Sequence, residues 1–294
     1  MNQVHGYRGG HVPLGGARVV DLAHPMRRGM PQSPNHPPFR MLLERRHGDL
    51  VRADGGSAAN ELIVTGGHVG THVDALAHVS QGGLLHGGLK ADEAQGHEGF
   101  SRHGIEEFPP YFGRAVFLDI AALHGLPALP PGYEITVEDL EAAGKAAGAE
   151  VGAGEALLLG TGWSRHWGDS ARFTGQEHGA PGPGPAAGAW IAAREVRVVG
   201  GETIAFEHIP PGRGHAELPV HRQLLVEAGI HIVETMRLTE LAAAGRAQFL
   251  LVLAPLPVVG ATGAPVRPLA VLHDGPHDGR RHGRHEGPHD EEAR

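Results

Sequence analysis

The run Gly66-Gly67-His68-Val69-Gly70-Thr71-His72-Val73-Asp74-Ala75-Leu76-Ala77-His78 constrains this chain more than any other stretch, because it sets three imidazoles and a carboxylate within eleven positions. On a helix His68 and His72, four apart, would share one face. Gly70 and the β-branched Val69, Thr71 and Val73 weigh against a regular helix. In an extended segment the alternation of side chains still puts His68, His72 and Asp74 on one side. Either geometry converges these three groups. Neutral imidazole and carboxylate suit a borderline or moderately hard divalent ion such as Zn or Mn. A single histidine on an apolar face is ordinarily a satisfied structural residue. Four ligand-type side chains at this density, flanked by glycines, predict a metal site instead.

The chain has no cysteine, so disulfides and thiolate ligands are excluded and any metal must use N and O donors. Its formal charge of -8 weighs against nucleic acid as a general partner. The N-terminal run from Met1 to Arg8 lacks the apolar core of a secretory leader. The longest apolar stretch, Phe249 to Val259, is interrupted by Pro255 and Pro257 and is too short to cross a bilayer as a helix. The expectation is a soluble, cytoplasmic protein with no membrane partner.

Glycine and proline punctuate the sequence into short apolar runs. Residues 1–17 are Gly-rich and unpatterned, which predicts a flexible arm. Residues 273–294 hold five histidines among Asp, Gly, Arg and Glu with almost no apolar side chain, which predicts a disordered tail. Between them, 18–272 reads as one folded domain. Strands are expected over 18–22, 39–46, 59–65, 115–120, 155–160, 230–233, 249–259 and 269–272, with another beginning at Arg197. Helices are expected from Thr136, with Asp139 in a capping box, over 186–195, and from His221 to a C-cap at Gly229. The fold class is α/β with a mixed sheet in a compact single domain, without regular βαβ repeats. Trp163 and Trp167, just after the strand at 155–160, read equally as the wall of an aromatic substrate pocket or as a core plug. Glu207 reads as a site-bordering acid or, better, as a charge at a strand end. On their own terms His221 is a helix-start histidine and Glu234 a strand-end glutamate.

The pattern His68-x-Gly70-Thr71-His72-x-Asp74-Ala75-x-x-His78 resembles the signature of the metal-dependent cyclase/hydrolase family, which includes bacterial kynurenine formamidase and isatin hydrolase. The resemblance implies that His68, His72 and Asp74 bind metal and that His78 acts in catalysis. Leu76 stands where many members carry proline, away from the ligands. A second segment, His221-Arg222-x-Leu224-Leu225 followed by Gly229-Ile230 and Glu234, resembles the family's other metal-associated stretch and implies that His221 and Glu234 join the site. With the closing loop Gly260 to Pro268, the likeness runs from about Arg18 to Leu272. It implies a β/β/α (swivelling) domain with a barrel-like sheet core, a Zn or Mn cofactor, and a homodimer or homotetramer. It also tips Trp163 and Trp167 toward the pocket, and gives the Pro-rich loop with His24 and His36 a place at the pocket's border.

The absence of cysteine and of a Gly-x-Ser-x-Gly elbow removes two covalent routes to hydrolysis. Attack by metal-activated water remains, with His78 taking and returning a proton. The bond attacked would be an amide or a lactone, and the family resemblance narrows it to the C–N bond of a small amide or cyclic amide, an arylformamide or isatin-like compound. The alternatives are a lactone hydrolase or cyclase of a specialised pathway, and a non-enzymatic His-rich metal-binding protein suggested by the 23 histidines.

Overall fold

Residues 16–273 are described by the computed structural model. The expected arm and tail lie outside the described residues except at their inner ends, where Ala17 pairs with His273 across two strands. The main sheet has nine strands. In chain order the strands of three or more residues are β1 (Ala17–Asp21), β2 (Arg40–Arg45), β3 (Asn60–Val64), β4 (His72–Asp74), β5 (Tyr111–Asp119) and β6 (Ala156–Gly160). They continue with β7 (Val198–Gly201), β8 (His231–Glu234), β9 (Gln248–Leu253), β10 (Gly263–Pro265) and β11 (Leu269–His273). The sheet order is β1-β11-β9-β5-β6-β7-β8-β4-β10, and β2 and β3 form a separate hairpin. The four central strands β5 to β8 run parallel. Every flanking pair is antiparallel. This is the expected mixed α/β sheet, curled into a half-barrel, with few helices.

The middles of the central strands, residues 115–118, 156–159, 198–199 and 232–233, are apolar because both faces are covered there. Ala115 and Phe117, Ala156 and Leu158, Val198 and Val233 face the inside of the curl. Val116 and Leu118, Leu157 and Leu159, Val199 and Ile232 face the crossover helices. Those helices include α1 (Val137–Ala147) and α2 (Pro185–Ala192). Helix α1 starts where its sequence demands, with Thr136 and Asp139 exchanging the two bonds of a capping box, and Leu140 and Ala143 face the sheet. The crossover from β7 to β8 is one α-turn, Pro219–His221, widening into a π-helix over Arg222–Ala228 and ending at Gly229 with φ 69°.

The structure departs from the sequence pattern at three places. The strand begun at Phe249 stops at Leu253, since Pro255 and Pro257 cannot donate to a ladder, and Leu256 and Val259 are exposed. Residues 203–207 form no strand; the chain turns there, with Phe206 at φ 56°. The strand at 60–64 pairs only with β2, so the rigid support of the histidine motif is the main sheet.

Candidate metal centre

The site is built where β4 and β8 lie side by side, with Glu234 opposite His72 and Ile232 opposite Asp74. Val73 and Val233 point into the inner core, so the pleat sends His72, Asp74 and Glu234 to the other face. The motif is not extended throughout. It turns at Gly70, φ 73°, and only His72–Asp74 is strand, so His68 reaches Asp74 from the turn. Thr71 fixes that turn: its hydroxyl donates to the Thr235 carbonyl at 2.6 Å and accepts from the His24 N–H at 3.0 Å. Thr235, just past Glu234, holds φ at 56°, a conformation that costs a β-branched residue about 1–2 kcal/mol.

Each imidazole is oriented by a bond away from the centre. His72 donates Nδ1–H to the Gly70 carbonyl at 2.8 Å, which leaves Nε2 facing Asp74 Oδ1 at 3.3 Å and Glu234 Oε2 at 3.4 Å. His221 donates Nδ1–H to Glu207 Oε1 at 2.6 Å, and its Nε2 lies 3.1 Å from Glu234 Oε1 and 3.6 Å from Asp74 Oδ2. Glu207 also accepts from the Val220 N–H at 2.9 Å and the His221 N–H at 2.8 Å. His68 uses both nitrogens, donating from Nδ1 to Asp74 Oδ1 at 2.7 Å and meeting Thr262 Oγ1 through Nε2 at 2.9 Å. His78 stacks on His68 with ring centroids 3.8 Å apart, and His36 stacks on the same ring at 5.1 Å.

His68, His72, Asp74, Glu207, His221 and Glu234 are all buried. Three buried carboxylates so close together are costly without cations. Burial opposes charge on Asp74, yet His78, His68 and His72 hold its carboxyl well below the usual range. Burial, with the negative charge of Asp74 behind it, pushes Glu234 up. Burial alone would depress His72 and His221; the hydrogen bond and charge of Asp74 raise the first, and Glu207 and Glu234 raise the second well above its ordinary value. The two imidazoles thus take the cationic part that the carboxylates require. His78 goes the other way: burial depresses it to about 3, so it is neutral at pH 7.

The donor set fits a divalent ion. His72 Nε2, Asp74 Oδ2 and Glu234 Oε1 are buried with no hydrogen-bond partner, and all belong to this cluster. Among the described residues, two trios place their ligand atoms within 4.8 Å of one another: His68, Asp74 and His78, and His72, Asp74 and Glu234. Asp74 belongs to both. The structure therefore brings together His68, His72, Asp74, His78, His221 and Glu234.

The aromatic expectation is corrected in part. Trp163 is fully enclosed and donates its indole N–H to the Phe173 carbonyl at 2.9 Å, packing with Phe173 and Ala180 as a core residue. Trp167 is half-buried and stacks on His24 at 4.0 Å. Glu207 is neither at a strand end nor free to meet a substrate, because both its oxygens are occupied by the His221 turn. Sequence reasoning did not find Glu207 in this role, and it gave Thr262 none. No local signal marks Glu207, 14 residues before His221.

A family model described as "Putative cyclase" matches residues 20–208, which include the whole histidine motif. An isatin hydrolase from Roseibium aggregatum is 30% identical over 148 residues, 49% of this chain and 55% of that protein, so the match spans about half the length of that relative. A solved structure described as a novel cyclase superposes with a TM-score of 0.77 at 30% identity, over 86% of this chain and 88% of that one. Isatin hydrolase A from Ralstonia solanacearum gives 0.68 at 23% identity, over 88% and 93%, a likeness of fold. With well over half of its length matched by the family model, and the motif seated on the same sheet architecture, this chain belongs to that cyclase family.

Proposed function

We propose that this protein is a metal-dependent hydrolase that opens the C–N bond of a small amide or cyclic amide, an arylformamide or an isatin-like compound. The observation that carries the reading is the pair of overlapping trios on Asp74, with unpartnered buried atoms on His72, Asp74 and Glu234. His72, Asp74, His221 and Glu234 would hold a Zn or Mn ion, with His68 joining by exchanging one of its two present bonds. Such an ion lowers the pKa of water and polarises a carbonyl oxygen.

The chain's own residues do the rest. Gly70 and Glu207 fix the tautomers of His72 and His221, so each presents Nε2 inward. His78, neutral at pH 7, has a lone pair to accept the proton of the attacking water and return it to the departing nitrogen. The water's oxygen ends on the acyl carbon and one of its protons on the departing nitrogen, giving a free amine and a carboxylic acid that ionises to the carboxylate by releasing the second proton. His36, in the Pro-rich loop, stacks on His68. The relative named isatin hydrolase favours a substrate whose carbonyl and nitrogen share an aromatic ring system.

The test is elemental analysis of a chelator-washed, tail-truncated preparation, paired with hydrolysis assays on isatin and N-formylkynurenine. One or two tightly held ions per chain with turnover of either compound is the expected result. His78→Ala should keep the metal and lose about 10²–10⁴-fold in kcat. Loss of all metal with the tail would move the reading to a His-rich metal-binding protein. Tight metal without turnover would exclude both amides and point to lactones.

A further inference from the structure

Three imidazoles of the metal centre, His68, His72 and His221, are each held by a partner on their outer side, and the partners differ in kind. His72 gives its Nδ1–H to the Gly70 carbonyl at 2.8 Å, and His221 gives its Nδ1–H to Glu207 Oε1 at 2.6 Å. A carbonyl or an ionised carboxylate can only accept. Those two rings must keep a proton on Nδ1, so only Nε2 is left to meet an ion. His68 is different. Its outer partner is a hydroxyl, Thr262 Oγ1, 2.9 Å from Nε2. A hydroxyl can donate or accept.

The other nitrogen of His68 faces the centre. Its Nδ1 lies 2.7 Å from Asp74 Oδ1, the same oxygen that His72 Nε2 approaches at 3.3 Å. The ring cannot exchange the two nitrogens. A half-turn about Cβ–Cγ would put carbon against both Asp74 and Thr262 and lose both bonds. His78 stacks on the ring at 3.8 Å, and the Gly263 backbone lies so near that a Cβ there would come within 2.6 Å of Cε1 and 3.0 Å of Nδ1. The hydroxyl is equally fixed. The Thr262 carbonyl accepts the Ala75 N–H at 2.9 Å, the Ala261 carbonyl accepts the Ile105 N–H at 2.8 Å, and Gly263 pairs with Asp74 in the ladder.

We propose that Thr262 is a positioning residue that lets His68 hold the ion through Nδ1, by reversing its own hydrogen bond as the ring changes tautomer. The inference rests on the metal-dependent reading above and adds which atom of His68 is used and what supports it. In the metal-free chain Nδ1–H donates to Asp74, and the Thr262 hydroxyl donates to the lone pair on Nε2. In the loaded chain the ring gives up the Nδ1 proton and gains one on Nε2, so its proton count is unchanged. Nδ1 then turns its lone pair to the ion, and Nε2–H donates to Thr262 Oγ1, which now accepts. Asp74, wholly buried, thereby keeps an N–H partner until a cation replaces it. His72 and His221 cannot take this double part, because their outer partners accept only. A partner on the far nitrogen is what fixes the tautomer and direction of a metal-binding imidazole.

The experiment follows the ring nitrogens by NMR in the full-length chain, labelled with ¹⁵N at histidine and washed with chelator, before and after one equivalent of ¹¹³Cd²⁺. His68→Gln assigns the His68 signals. The metal-free chain should carry the His68 proton on Nδ1. With cadmium bound, cadmium–nitrogen splitting should fall on Nδ1 of His68 but on Nε2 of His72 and His221, with the His68 proton now on Nε2. Thr262→Val keeps the shape and loses the hydroxyl. It should weaken cadmium and zinc affinity by about 10–100-fold in competition with a chromogenic chelator, and Thr262→Ser should restore it. Circular dichroism would check that both variants are folded, and the splitting is read on the parent chain whatever the variants do. Splitting on His68 Nε2, or a bound ion with no coupling to His68, would overturn the proposal, as would unchanged affinity in a folded Thr262→Val. Those outcomes leave the metal-dependent reading in place. A chain that takes up neither cadmium nor zinc would remove that reading and this inference with it.

Discussion

Glu207 stands behind His221 with both oxygens in use, one shared by the His221 ring and backbone and the other taken by the Val220 N–H. Its negative charge faces a ring nitrogen whose far side looks onto Asp74 and Glu234. A carboxylate in this position fixes the ring's orientation and strengthens its Nε2 as a donor. Glu207→Gln keeps the volume and one carbonyl acceptor but sets an amide NH₂ against a donor. It should weaken divalent-metal affinity by about 10–100-fold with the fold retained, read by competition against a chromogenic chelator. Unchanged affinity would show that His221 needs no anionic partner. Trp163 is the reverse case at the same scale. Its place after a strand reads equally as a pocket wall or a core plug, and the resemblance favours the pocket, yet the Phe173 carbonyl, ten residues on, accepts its N–H and closes it in. Neither environment is written near the residue itself, so local sequence could not assign either one. His68, His72 and Asp74 were legible because their spacing converges them on a helix or on a strand, while His78 was found through the family resemblance.

At the scale of elements, β10 closes the site from behind. Gly263 pairs with Asp74 across the ladder, and a Cβ on it would lie 2.6 Å from His68 Cε1 and 2.7 Å from the Val73 carbonyl. Gly67 faces it, with a Cβ position 2.5 Å from the Gly263 carbonyl. Two backbones approach here more closely than side chains allow, and His68 uses the space between them. Gly263→Ala must therefore move either backbone carbonyl or ring. It should cost about 1–3 kcal/mol in a urea melt, as overpacking does, and should loosen the His68–Asp74 bond. A normal melting profile would mean that β10 shifts freely. The capping box of α1 and the apolar central strands were readable because they rest on neighbours in sequence. Sheet order was not, because β4 finds its partners in β8 and β10, more than 150 residues away. The early end of β9 was misread because an apolar run outweighed two prolines. The hairpin's separation from the sheet has no sequence signal, since its continuous apolar runs, 41–43 and 62–64, read like those of a buried strand.

At the scale of the whole molecule, the folded chain holds several histidines neutral, and this ties its stability to pH. His231 opens β8 outside the proposed ligand set, 5% exposed, with its ring against Phe108 and Nδ1 unpartnered. Burial, with Arg197 adding positive charge, depresses it to about 3. His78 falls to about 3, and His24 and His36 to about 4, each chiefly by burial. A histidine whose folded pKa lies below its unfolded value destabilises the fold as pH drops, because only the unfolded chain takes the proton. The loss begins near pH 6.5 and deepens until the folded pKa is reached. At pH 5 the His231 contribution is about 2 kcal/mol. His72 and His221 oppose it in the metal-free protein: their raised pKa values add stability at low pH that fades as pH climbs through those values. The net acid slope is therefore a difference of opposing effects, and the intact chain alone does not separate them. His231→Leu does, since it removes one titrating group and its orphaned nitrogen while leaving the opposing pair in place. In chelator-washed protein, the loss of unfolding free energy between pH 7 and pH 5 should be about 2 kcal/mol smaller for this variant than for the parent chain. Equal slopes would mean that His231 is protonated in the folded state, and that the region around Phe108 and Arg197 opens to water in acid.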